Sequence, residues 1–324
     1  MIFAPHVTTI SLALVTTMLA LTEGIAQSYP AKSLRLVVPF TAGGGSDVTA
    51  RLVAEKLTTA LGQPVIVDNR PGASGNIGIR YVAKAAPDGY TFLIMSSNFA
   101  LNPTLYANAG YDPFKDFEPV AGLTSYMFYL VCHPSLPVRS VKALIALAKA
   151  QPGKLSFASG GIATGSHIAG EMFNAATGVK LTHVPYKGVG PAIYETLGGQ
   201  IPITFGVPEV VPHIKAGKLI ALGVTGPARS PGLPNVPTIA ESGLPDFDVS
   251  SWHAMFAPLG TAEVIVKRIN EEVRKGLGRR EVADLLRQKD MELALGAPQE
   301  LTALVKRTHA KQSKVVKDVG IKMD

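Results

Sequence analysis

The sequence predicts an α/β protein of two lobes joined by a hinge, and three features predict it. Short apolar runs alternate with amphipathic stretches of helical period along most of the chain, as strands exchanging with helices do. A second series of such units opens near Tyr126, after a first series is complete. A strand-like run, Trp252 to Ala257, then leaves the second series and is followed by more helices, so the chain is expected to return to its first lobe. A length of 324 residues also suits two cores better than one.

The elements follow from local pattern. Leu34 to Pro39 reads as a buried strand, and a glycine-rich turn leads into a helix from Asp47 to Leu61. Val48, Leu52, Leu57 and Leu61 share one side of that helix, and Gly62 is its stop. Val65 to Asn69 and Thr91 to Met95 are strands on either side of a helix at Ile77 to Ala86. Repeated strand–helix units imply parallel strands. In the second series Met127 to Cys132, Leu155 to Ser159, Leu181 to Pro185, Ile203 to Phe205 and Leu219 to Val224 read as strands. Ser140 opens a helix carrying Val141, Leu144, Ile145 and Ala148 on one face. Further helices are expected at Ser166 to Thr177, Pro191 to Leu197 and Pro208 to Ala216. Gly226 to Pro245, rich in Pro and Gly, reads as a long surface loop. Ile265, Ile269, Val273 and Leu277 share a helical register, and Pro298 opens a last helix. The expected organisation is residues 27–125 plus 252–324 as lobe 1 and 126–251 as lobe 2.

Before these comes an export signal. Ile10 to Leu21 is apolar, and Gly24-Ile25-Ala26 places small residues before a cut after Ala26, so residues 1–26 read as a cleaved signal peptide. The apolar stretch is too short to span a bilayer, which takes roughly 20 residues. Residues 1 to 9 lack the usual Lys or Arg. The formal net charge is +7, but Lys and Arg are scattered, which argues against a nucleic-acid surface and for a background field favouring anionic ligands. Cys132, the single cysteine, excludes a disulfide framework and a thiolate metal site, and its apolar surroundings read as those of a buried thiol.

The sharpest local signal is Pro39-Phe40-Thr41-Ala42-Gly43-Gly44-Gly45-Ser46-Asp47. Glycines between a strand and a helix let backbone N–H groups approach a ligand, and the helix turns its positive end to the same point, so an anion is favoured there. Asp47 suits an organiser of the loop better than a base. It is no nucleotide fingerprint, because position 48 is Val and no GK[ST] follows. Asn69 to Asn76 is a second strand-to-helix loop, in which Arg70 is expected to bridge an acidic neighbour. Ser96-Ser97-Asn98 ends the third strand. In the second lobe Ser159-Gly160-Gly161-Ile162-Ala163-Thr164-Gly165-Ser166-His167 repeats the glycine-rich device, with His167 either touching a ligand or merely packing. Tyr186-Lys187-Gly188 and Phe205-Gly206-Val207-Pro208 end two more strands. Ligands of open sheets bind at such strand ends. No G-x-S-x-G, H-E-x-x-H or metal-ligand spacing of His is present, so a binding protein is favoured over an enzyme, and neither cofactor nor metal is expected.

Read together, these segments resemble the solute receptors of tripartite tricarboxylate transporters, the Bug family. The matching pieces include YPAKSLRLVVPFTAGGGSDVTAR, GQPVIVDNRPGASGNIG, APDGYTFLI, DFEPVAGL, AKAQPGKLSFASGG, THVPYKG, GKLIALGVTGPARSPGLPNVPTIAESGLP and VVKDVGIKMD. The resemblance implies two Rossmann-like lobes of the type II periplasmic-binding kind. It also implies a periplasmic location, a small organic carboxylate as ligand and integral-membrane transporter subunits as partners, with a monomeric chain. One carboxylate would be held by the first loop, here Phe40, Thr41, Ala42, Gly43, Gly44 and Asp47. Ser97, Asn98, Gly160, Gly161, Thr164, His167 and Phe205 match the other walls. The chain departs from the family pattern at Gly206, where many relatives carry Asp or Asn, which suggests more room and no ligand amine. It departs again at Ser313, near the usual place of a Trp. Two other functions stay open: an accessory protein for a membrane signalling receptor, and a two-lobed enzyme.

Overall fold

A computed structural model of the chain describes residues 29–106 and 108–320; the expected signal peptide, residues 1–26, lies outside the described residues. Two sheets organise it. The first carries six strands in the order β11-β4-β10-β3-β1-β2: β1 Leu34–Val38, β2 Val65–Asn69, β3 Thr91–Ser96, β4 Phe117–Met127, β10 Ser250–Pro258 and β11 Glu292–Gly296. The second runs β7-β6-β8-β5-β9: β5 Tyr129–Cys132, β6 Ser156–Ser159, β7 Thr182–Pro185, β8 Ile203–Gly206 and β9 Ile220–Val224.

Strand β1 shows why its sequence folds this way. Leu34, Leu36 and Val38 face one apolar layer and Val37 the other, so the strand is buried on both sides and reads as an unbroken apolar run. The first layer is closed by α1 (Gly45–Leu61) and α8 (Glu263–Leu277), where Val53 and Leu57 meet Ile269, Val273 and Leu277. The second is closed by α2 (Asn76–Ala83), α3 (Asn98–Leu105) and α10 (Pro298–Val319), around Ile79, Phe99 and Leu301. In the second lobe α4 (Val141–Ala150), α5 (Gly165–Thr177), α6 (Val189–Leu197) and α7 (Val211–Lys215) cover the five-stranded sheet. The remaining helix, α9 (Arg280–Gln288), precedes β11. Gly62 takes the left-handed conformation (φ 67°) and its N–H donates to Thr58 C=O, the helix stop read from sequence.

The expectation of parallel sheets needs correction. β1 pairs parallel with β2 and β3, and β6 with β7 and β8, but β10 lies antiparallel between β3 and β4, and β5 lies antiparallel between β8 and β9. The reason is topological. Each of these two strands arrives from the opposite lobe and enters its sheet against the local chain direction. The run Met127 to Cys132 also divides: Met127 ends β4 in one sheet and Tyr129 starts β5 in the other.

Phe128 is therefore one crossing, and Val249, just before β10, is the other. Thr225 ties them. Its Oγ1 accepts from the Phe128 N–H (2.8 Å) and donates to the Val249 carbonyl (2.5 Å). Its backbone N–H donates to Phe128 C=O (2.9 Å) and its carbonyl accepts from Val249 N–H (2.8 Å). Away from this hinge the lobes touch again, and three of these contacts bear on the cleft. Leu101, Leu105 and Val316 of the first lobe bury a small apolar cluster with Ala163 and Ile168 of the second. Ser74 Oγ donates to the Ile162 carbonyl at 3.1 Å. Asp290, in the turn between α9 and β11, accepts from Tyr129 Oη, from Ser230 Oγ (2.5 Å) and from Gly232 N–H (3.1 Å).

Candidate functional site

Between the lobes lies a cavity of about 580 Å³. Three helix starts open onto it. From the first lobe comes the β1–α1 loop with Gly43, Gly44, Gly45 and Ser46; from the second come Thr164, Gly165 and Ser166 at the start of α5, and Gly188 and Val189 at the start of α6. Helix N-termini carry unpaired N–H groups and a partial positive charge. Some of these donors are already taken. Gly43 N–H donates to Asp47 Oδ2 (3.0 Å), and Gly160 N–H to Ser166 Oγ (3.1 Å). Among the described residues the amides of Gly44, Ser46, Gly165, Ser166 and Val189 have no protein acceptor.

Around these donors the wall is largely apolar, with Phe40, Val48, Tyr126, Phe128, Val207 and Met291 prominent. Charged groups are few: Glu209, Lys215 and Lys289. His253 reaches the cavity from β10 while only 2% exposed. Its Nδ1 is 2.8 Å from Thr124 Oγ1 and 3.3 Å from Thr49 Oγ1, and Tyr126 stacks on the ring at 4.9 Å. Burial lowers its pKa to about 3, so the imidazole is neutral. Among the described residues no three His, Cys, Asp or Glu side chains group as a metal site.

Of the residues singled out from sequence, Phe40, Thr41, Gly43, Gly44, Asn98, Gly160 and Thr164 lie on the cavity wall. The others lie off it. Asp47 is buried and accepts from Gly43 N–H, from Arg51 Nε (2.8 Å) and from Asn69 Nδ2 (3.0 Å), which makes it the organiser of the loop. Burial alone would raise its pKa; the hydrogen bonds from Arg51, Gly43 and Asn69 outweigh that and hold it low. Ser97 pairs with Ser251 at 2.8 Å, and Ala42 is exposed off the wall. Gly161, at φ 127°, shapes the second loop without lining the cavity. His167 stacks on His183 at 3.8 Å and accepts from Ala163 N–H, so it packs inside its lobe. Phe205 is fully buried, edge-on to Phe157. Arg70 bridges Asp68 (2.9 Å) and lies over Tyr81. Cys132 is buried, with burial pushing its thiol up to about 11. The room expected at Gly206 is absent: a Cβ there would lie 2.4 Å from Val210 Cγ1.

Glu209, His253 and the Gln288–Met291 stretch escaped the sequence reading. Alternation along β10 sets His253 on the face opposite Trp252 and was a usable signal. Nothing local marks residues 288–291, which belong to the first lobe and reach the cleft only because Asp290 docks on the second.

Gly165 is a position where the wall tolerates no side chain. A Cβ would come within 2.4 Å of Phe128 Cζ, at the hinge crossing. Gly165→Ala is expected to cost about 2 kcal/mol through overpacking, seen as a lower Tm; an unchanged Tm would show that Phe128 can move aside freely.

The family model described as the tripartite tricarboxylate transporter family receptor matches residues 49–321. The chain belongs to this family. The receptor is 36% identical over 301 residues to protein BugT of Bordetella pertussis, covering 92% of each chain. A solved structure of R. palustris Rpa4515 with adipate superposes with a TM-score of 0.86 at 38% identity, covering 91% of the receptor and 99% of that chain. The periplasmic binding protein BugD superposes with a TM-score of 0.84 at 35% identity, covering 91% and 100%. These relatives are solute-binding proteins rather than enzymes, and the receptor shares their two-lobed α/β fold. Among its described residues no helix is long and apolar enough to cross a membrane.

Proposed function

We infer that this receptor works in the periplasm, closes its two lobes on a small organic carboxylate and delivers it to the membrane subunits of a tripartite tricarboxylate-type transporter. What supports this is the convergence of helix starts from both lobes on one cavity, with the amides of Gly44, Ser46, Gly165, Ser166 and Val189 free of acceptors among the described residues. A carboxylate held there satisfies donors of both lobes at once, so binding favours the closed arrangement that a membrane partner reads. Each charge-assisted hydrogen bond contributes about 1.5–3 kcal/mol, and each helix start about 0.3–1 kcal/mol. The apolar wall takes up the ligand's hydrocarbon part. Adipate in Rpa4515 is consistent with such a guest.

The test is a thermal-shift screen against carboxylates of different length and shape. A true ligand at 100 times its Kd is expected to stabilise the fold by about 2.7 kcal/mol. If no carboxylate raises the Tm, the receptor reading fails.

A further inference from the structure

The cleft contains a carboxylate of its own. Glu209 lies in the short turn Pro208–Val210 that follows β8, in the second lobe, and reaches towards the start of α1 in the first. Gly45 and Lys289 share this wall, and the Gly45 N–H and the Lys289 ammonium both favour its ionised form. The side chain is open to water in the cavity yet enclosed by both lobes. Burial raises its pKa, against the pull of its own backbone N–H, of Gly45 and of Lys289.

Such an acid is unexpected in a site built for anions, and it divides the cavity. With Gly43 N–H given to Asp47, the donors left for a ligand carboxylate among the described residues include Gly44 and Ser46 with Gly165, Ser166 and Val189. Next to them the wall offers an acceptor, Glu209, and a neutral ring, His253, whose Nε2 has no partner among the described residues. The two lysines, Lys215 and Lys289, are exposed to solvent, which screens them. A second ionised carboxylate on the ligand would meet like charge at Glu209, whereas a hydroxyl or ammonium group would find an acceptor there.

We propose that Glu209 is a specificity-determining residue of the cleft: it selects a monocarboxylate bearing a hydrogen-bond donor, hydroxyl or ammonium, over a fully ionised dicarboxylate of the same length. This rests on the carboxylate-receptor reading above and narrows its ligand class.

Matched acids that differ only at the far end provide the test: adipate, 6-hydroxyhexanoate, 6-aminohexanoate and hexanoate, with the corresponding four-carbon set. Calorimetric titration at pH 7.5 would compare the wild type with Glu209→Gln and Glu209→Ala. The wild type is expected to bind a hydroxy or amino member on the order of tenfold more tightly than the dicarboxylate. Both variants are expected to narrow that gap about tenfold, mainly by binding the dicarboxylate better. Glu209 lies at the cleft surface, so both variants are expected to keep the wild-type Tm without ligand. An unchanged ranking in the variants, or a wild type that prefers the dicarboxylate, overturns the role of Glu209 and leaves the receptor reading standing. Failure of the wild type to bind any acid of either set overturns the role of Glu209, and the receptor reading falls with it only if the wider carboxylate screen is negative too.

Discussion

Acidification from pH 6.5 to 4.5 is expected to remove about 4 kcal/mol of stability through two histidines alone. His253 and His183 are both lowered from 6.5 to about 3, His253 by burial and His183 by burial and then by His167 beside it. The sign follows from proton uptake. Below pH 6.5 the unfolded chain binds two protons that the folded chain refuses, so stability falls as pH falls. The loss continues, at up to about 1.4 kcal/mol per histidine per pH unit, until the folded imidazoles protonate near pH 3. Burial withholds from His253 the water that would solvate its cation, and His183 adds to burial a second imidazole stacked 3.8 Å away. Denaturant unfolding at a series of pH values measures the slope directly. Replacing His253 with Gln should halve the slope, even if stability itself drops. A double replacement of His253 and His183 that left the slope intact would sink this account.

Asp290→Ala is expected to be the most damaging single change outside the cores, at about 3 kcal/mol. The substitution strands the Tyr129 and Ser230 hydroxyls and leaves the Gly232 N–H with Ser230 Oγ as its one acceptor, all three being donors from the second lobe to one acid of the first. Burial, and then the Asp290 carboxylate, keep the Tyr129 phenol protonated, as a donor to that carboxylate. Asp290 also sits at φ 55°, a left-handed conformation that Asp tolerates better than Ala. A fall in Tm of roughly 6–12 °C would accompany the change. The more telling readout is weaker ligand binding, because Gln288, Lys289 and Met291 are held on the cavity wall by this contact. A variant with wild-type Tm and wild-type affinity would show that the contact is incidental.

Much of the frame was legible from local pattern. The strands around the first glycine loop, the stop at Gly62, the opening of α4 by Ser140 and the burial of Cys132 each follow from a few neighbouring residues. The elements missed were β4 before Met127, β11, α3 and α9. In α3 the sequence Asn98–Leu105 contains Pro103, which weakens any helical reading, and tertiary contacts override it. The antiparallel placing of β5 and β10 has no local signature at all, since a strand's direction in a sheet depends on where the chain has come from.

The sequence by itself determined that glycine-opened helix starts would present backbone donors, because glycine before an amphipathic run has that effect wherever the segment lies. It also determined the Bug-family resemblance, which spans nearly the whole chain. Only the tertiary structure decided which residues face the cavity. Side chains from segments far apart in sequence, Glu209, His253 and Lys289, share one wall with Gly45, while His167 and Phe205 turn into the core of their lobe. The physical reason is that a helix start offers its amides through local geometry, whereas a side chain's partner is set by how two lobes are pinned together, here by Thr225, Ser74 and Asp290.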